Sequence, residues 1–133
     1  MKTKSQLNEL SGIIIDAAIE VHREMGPGLL ERVYESSLAK ELRLRGISSV
    51  RQLPQPVMYK GELLEDEGYR IDLLVEDCIV VELKTVAQLL PIHDAQVLTY
   101  LRLSGKRLGL LINFHVPLLK DGIKRLVHQF PSE

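Results

Sequence analysis

The sequence predicts an α/β fold, a mixed β-sheet flanked by helices in three layers, and three observations lead there. Apolar residues recur at helical spacing through the N-terminal third. Apolar and charged residues alternate with period two between Tyr69 and Lys84. Leu108 to Phe114 is a nearly continuous apolar run that follows a third helical pattern. Half-buried and fully buried strands interspersed with amphipathic helices belong to a sheet covered on both faces.

From Ser5 to Glu24, Leu7, Leu10, Ile14, Ala17, Ala18 and Val21 make one helical stripe for the core. Glu20, His22 and Arg23 lie off it, which puts His22 at the surface or the boundary. Met25-Gly26-Pro27-Gly28 is a compact breaker. A second helix is predicted from Leu29 to Arg45, ending at Gly46, a residue suited to a left-handed cap. Glu31, Tyr34, Leu38 and Leu42 follow one another at i, i+3, i+7 and i+11, so a carboxylate heads an otherwise apolar face. A first-turn acid also complements the helix dipole, worth up to about 1 kcal/mol. Ser48–Leu53 and Pro56–Tyr59 read as extended, with prolines that keep them from the middle of a sheet. Lys60-Gly61 turns into Glu62–Glu65, predicting a meander that leads into the next hairpin.

That hairpin is Tyr69–Val75 with Ile79–Lys84. Ile71, Leu73 and Val75 share one face of the first strand, and Ile79, Val81 and Leu83 share one face of the second; Asp72, Glu82 and Lys84 fall on the opposite side. Both apolar triplets reach the same core only if paired residue numbers sum to an even value. The loop must therefore be odd, most simply Glu76 to Cys78 with a bulge, and Asp72 lies opposite or diagonal to Glu82. Pro91 then opens a helix that runs to Ser104 and is closed by Gly105. Ile92, Ala95, Thr99 and Leu103 are its expected contact face, and His93, Gln96 and Tyr100 an adjacent polar stripe. Arg107–Phe114 is a central strand, and Gly122–Val127 adds a last one.

The totals narrow the function classes. At 133 residues the chain is expected to be one domain, residues 1–133, with a core that needs no disulfides. Its lone Cys78 excludes a disulfide framework or a thiolate zinc site and suits a reducing compartment. No stretch approaches the length of a membrane span, and the start of the chain leads into an amphipathic pattern, so a cytoplasmic location is expected. A net charge of −1 gives no whole-molecule attraction for nucleic acid, although Lys60, Arg102, Lys106, Arg107, Lys120, Lys124 and Arg125 lie outside the acidic hairpin and are candidates for a basic side. Gly26-Pro27-Gly28 joins two helices, so it is not a strand-to-helix dinucleotide fingerprint.

Phosphodiester cleavage with a divalent metal needs carboxylates that converge on the ion and a cation near the attacking water or the developing charge. Asp72 on one strand, Glu82 on its neighbour, Lys84 two residues on and Glu31 arriving from a helix fit that need. The competing reading of the same charges is the salt-bridged wet face of an amphipathic hairpin.

Asp72 followed by Glu82-Leu83-Lys84 resembles the D…ExK signature of the PD-(D/E)XK nuclease superfamily. Gly28-Leu29-Leu30-Glu31-Arg32-Val33-Tyr34 resembles the GxxExxY motif of a small prokaryotic family assigned to that superfamily. Gln96 to Tyr100 resembles its QxxxY element, and Pro91-Ile92-His93 and Leu111-Ile112-Asn113-Phe114 are also similar to the small family's pattern. The likeness spans Ile13 to Val127. The residue before Asp72 is Ile71, where the superfamily's name carries Pro. The resemblance implies a restriction-endonuclease-like core. It also implies Glu31, Asp72, Glu82 and the carbonyl of Leu83 as metal ligands, and Asp72, Glu82 and Lys84 as the catalytic set. Tyr34, His93, Gln96 and Tyr100 are implied as residues that support the site or meet nucleic acid. The expected function is Mg²⁺-dependent hydrolysis of nucleic acid, with Mn²⁺ as a substitute ion and DNA placed before RNA; the assembly is left open, a homodimer being one option. The alternative is a non-catalytic protein-interaction or nucleic-acid-binding module on the same fold.

Overall fold

A computed structural model describes residues 1–133. The chain runs α1 (Lys4–Met25), α2 (Glu31–Leu44), β1 (Ser49–Pro54), β2 (Val57–Tyr59), β3 (Glu62–Glu65), β4 (Arg70–Val75), β5 (Ile79–Lys84), α3 (Pro91–Ser104), β6 (Leu108–Asn113), a short 3-10 turn (Leu119–Gly122) and β7 (Ile123–Val127). No helix is long and apolar enough to cross a membrane.

The boundaries of α1 and α3 have local causes. Thr3 and Gln6 exchange side-chain and backbone hydrogen bonds at the head of α1, a reciprocal cap that satisfies two orphan N–H groups. Its end at Gly26 is sealed by the Gly26 N–H donating to the His22 carbonyl. Pro91 begins α3, where its missing N–H costs nothing, and Gly105 ends it in the left-handed conformation at φ 74°.

Strands β1-β4-β5-β6-β7 form one mixed sheet, in which β5 and β6 are parallel and the other neighbours antiparallel. A parallel pair requires a crossover, and α3 supplies it. The predicted meander is corrected here: β2 and β3 pair only with each other, as a separate two-stranded hairpin, and β1 joins β4 at the sheet's edge. Pro54 and Pro56 flank the break between β1 and β2, and neither has an N–H to donate to a ladder, which suits an edge strand and its end.

The sheet divides two apolar clusters. On one face α1 and α2 pack Leu10, Ile14, Ala17, Tyr34, Leu38 and Leu42 over Leu73, Val75, Val81, Leu83, Leu110 and Ile112. On the other, α3 lays Val97, Tyr100 and Leu101 on Leu74, Val80 and Leu111. Gly109 allows that close approach, since a Cβ there would stand 2.7 Å from Val97 Cγ1. The inward face of α3 therefore differs from the predicted one. Ile92 and Ala95 are exposed and Thr99 and Leu103 only half-buried, because the sheet takes the Val97–Leu101 side.

Two other expectations change. His22 is buried, 8% exposed, with Nε2 2.9 Å from the Val116 carbonyl and its ring tilted against Phe114; that hydrogen bond makes burial of the imidazole tolerable. Tyr34 is fully buried and stacks on Phe114 at 4.4 Å, so it cannot touch nucleic acid. Its hydroxyl donates to the Gly26 carbonyl at 2.5 Å and accepts from the Leu29 N–H at 3.1 Å, which fixes the loop leading to Glu31. Tyr34→Phe keeps the stack and strands both backbone groups, so urea denaturation should show a loss of about 1–3 kcal/mol.

Candidate functional site

The hairpin register puts the acids together. Leu73 pairs with Val81, Leu74 with Val80 and Val75 with Ile79, so every pair sums to the same even number, and the loop is the odd one, Glu76 to Cys78. Glu76 and Asp77 both take positive φ, as in a type I′ turn, and Cys78 is the extra residue. Continued by one step, this register sets Asp72 against Glu82.

At that step the ladder ends and side chains take over. The Asp72 N–H donates to Glu82 Oε1 at 3.2 Å, and the Leu83 N–H donates to Asp72 Oδ2 at 2.9 Å. Each carboxylate thus holds the backbone of the strand opposite. The change turns β4 over: Ile71, expected beside Leu73 and Val75, packs instead in the α3-side cluster with Leu74 and Val80.

Glu82 is 3% exposed on the face covered by α3. Burial first, then the charge of Asp72 and a hydrogen bond between the two carboxyls, push its pKa up to about 9. Lys84, half-buried at the end of the same strand, pulls the other way on both Glu82 and Glu31. Glu31 sits in the first turn of α2, its pKa raised by burial and then by the charge of Asp72, with Glu35 adding to the rise. Tyr100 reaches the acids from α3: burial, then the charges of Glu82 and Asp72, raise its pKa, while the Arg70 backbone and Gln96 oppose the rise. The backbone of Lys84 is held by the Phe114 N–H at 2.9 Å. Asn113, buried beside it, clamps the segment after β5 by donating to the Val86 carbonyl at 2.9 Å and accepting its N–H at 3.1 Å.

The structure thus gathers Glu31, Asp72, Glu82, Lys84, Gln96 and Tyr100. His93 serves the helix itself, because its Nδ1 accepts the Leu90 N–H at 3.0 Å and caps α3. Two neighbours of the site, Glu35 and Gln52, do not stand out in the sequence. Glu35, one turn beyond Glu31 and buried, is bound by Arg51 Nε at 3.0 Å and by Gln52 Nε2 at 2.5 Å. The same Gln52 amide lies 3.3 Å from Asp72 Oδ1, and its backbone φ is 52°. The i, i+4 spacing of Glu31 and Glu35 was the available clue; nothing in the sequence announces the left-handed Gln52.

The donor set fits a divalent cation. Asp72 and Glu82 are held side by side by the opposite strands' backbone, with Glu82 buried and its pKa raised, and a cation there would take the place of the Glu82 proton. No group of three or more His, Cys, Asp or Glu stands at ligating distance, so Asp72 and Glu82 would supply two oxygens and leave other positions open. Mg²⁺ keeps several waters in such sites.

In metal-free protein Glu82 prefers its proton, and the unfolded chain does not. Its contribution to stability is therefore whole below the ordinary value of 4.5 and is lost as pH rises toward about 9. Thermal melts in a chelator should show stability falling by several kcal/mol across that window. Glu82→Gln, which keeps the acceptor for Asp72, should flatten the slope; an unchanged slope would assign it to other groups.

The family model of the PD-(D/E)XK nuclease superfamily matches residues 8–126 of the chain. No curated protein and no solved structure matches it.

Proposed function

Because the chain belongs to the PD-(D/E)XK nuclease superfamily, we propose that it is a divalent-cation-dependent nuclease whose catalytic set is Asp72, Glu82 and Lys84. Mg²⁺ is the proposed ion, with Mn²⁺ as a substitute, and DNA comes before RNA as the proposed substrate. We propose further that it is of the GxxExxY family, a reading supported by Gly28, Glu31 and Tyr34. The observation that carries the proposal is the reciprocal bond between two strands, Asp72 to the Leu83 N–H and Glu82 to the Asp72 N–H, with Lys84 one side chain further on.

Asp72 and Glu82 would hold the ion, with the Leu83 carbonyl as a further oxygen and Glu31 adding its charge from the head of α2 without joining them at ligating distance. When bound, Mg²⁺ polarises the phosphate and lowers the pKa of a water. Lys84 would bring a positive charge to the corner, where it orients the attacking water and meets the charge that develops on the phosphoryl oxygens. Burial under α3 keeps bulk water from screening that interaction. Tyr100 and Gln96 close the corner from the helix side and present hydrogen-bonding groups to a nucleic-acid backbone. Gln52 and Glu35 act behind Asp72: the shared amide turns one of its oxygens, leaving the other on the Leu83 N–H. They are positioning residues.

Purified protein with Mg²⁺ or Mn²⁺ should cut labelled DNA, with RNA of the same sequence cut more slowly. Glu82→Ala and Lys84→Ala should each lower the rate by at least about a hundredfold. Equal rates in wild type and in both variants would sink the assignment. Gln52→Ala should lower kcat by roughly tenfold with little change in KM, the mark of an interaction needed mainly in the transition state.

A further inference from the structure

The outer side of α3 and the β2–β3 hairpin enclose an open groove of about 660 Å³. Its walls include Met58, Tyr69, Ile92 and Leu103, and three of these are well exposed: Ile92 at 68%, Met58 at 54% and Tyr69 at 52%. One of its lining residues, Tyr100, feels the charges of Asp72 and Glu82, and Gln96 beside it bonds the Tyr100 hydroxyl, so the groove borders the site. In a chain with 18 acidic residues, none lines it, and Arg102 supplies its one permanent charge.

These features select an occupant. A duplex is held chiefly through phosphates and needs a row of free basic side chains. This surface lacks one: among the residues that line the groove only Arg102 is a lysine or arginine. Unpaired bases bring flat apolar faces, which stack on aromatic rings and apolar side chains, and one phosphate per base, which an acid-free wall and an arginine accept. Tyr69 supplies an exposed ring, and Met58 and Ile92 supply apolar contact. A second protein seated in the groove would cover Tyr100 and the carboxylate corner, whereas a substrate strand must lie across them.

We propose that this groove seats the unpaired bases of a single-stranded nucleic acid whose backbone passes the Asp72–Glu82 corner, so that single strands, flaps and frayed ends are bound in preference to blunt duplex. The direction of the strand rests on the nuclease reading of that corner; the groove's chemistry does not.

Binding is measured by fluorescence anisotropy in a chelator, so that nothing is cut, at one fixed salt concentration. The probes are labelled single-stranded DNA, RNA of the same sequence and a blunt DNA duplex. A single strand of either kind should bind about tenfold tighter than the duplex, and Tyr69→Ala and Ile92→Asp, both at exposed positions, should each weaken that binding by about tenfold and leave duplex binding unchanged. Equal binding of single strand and duplex, or binding untouched in both variants that retain the wild-type melting curve, overturns the proposal. So does a change of oligomeric state by light scattering in those variants without loss of nucleic-acid binding, which would give the groove to a second copy. Cleavage with Mg²⁺ is assayed separately. Cutting combined with groove-independent binding overturns the proposal and leaves the nuclease reading standing. Groove-dependent binding of single strands without cutting supports the proposal and removes the nuclease reading.

Discussion

Where β4 and β5 would exchange further ladder bonds, two carboxylates take the backbone N–H groups instead, and the layout of the site depends on that exchange. An N–H buried without a partner costs about 1–3 kcal/mol, so Asp72 and Glu82 cannot drift from their places without leaving the opposite strand unsatisfied. The oxygens that fasten the strands belong to Asp72 and to Glu82, the acid that burial and its neighbour push up to about 9.

The three layers give this corner its walls. α2 is fixed against the sheet through Tyr34, Leu38 and Leu42, and the Tyr34 hydroxyl sets the loop that delivers Glu31 to the head of the helix. Beneath it, Glu35 and Gln52 link helix, edge strand and Asp72 in one chain of hydrogen bonds. From the other face α3 covers Glu82 with Tyr100, and Gly109 lets the helix come near enough to do so. Asn113 clamps the segment that follows Lys84. The burial that raises the Glu82 pKa is thus a product of helix packing from far along the chain.

Much of this was legible in the amino-acid order. The stripe from Leu7 to Val21 is buried throughout, α3 runs from Pro91 to Ser104, and the even register with an odd loop follows from two apolar triplets alone. The errors share one physical origin, which is that periodicity gives the faces of an element and not the neighbour each face will meet. Ile92, Ala95, Thr99 and Leu103 make an apolar helical face as good as Val97, Tyr100 and Leu101, and packing chose the second. The parity rule likewise holds only while the ladder lasts, so Ile71 crosses to the other cluster once Asp72 and Glu82 interrupt it. His22 lies off its helix's stripe, yet the Val116 carbonyl gives it a buried partner 94 residues away.

By itself the sequence determined which residues alternate, where helices begin and stop, and that Asp72, Glu82 and Lys84 stand in one corner, because these follow from strand and helix periods and from Gly and Pro at breaks. Only the tertiary structure decided that β2 and β3 leave the sheet, that Gln52 and Glu35 stand behind Asp72, and that a helix's unused apolar face becomes the wall of a groove. Those outcomes depend on contacts between segments distant in the chain, where packing and hydrogen bonding choose among arrangements that local pattern leaves equal.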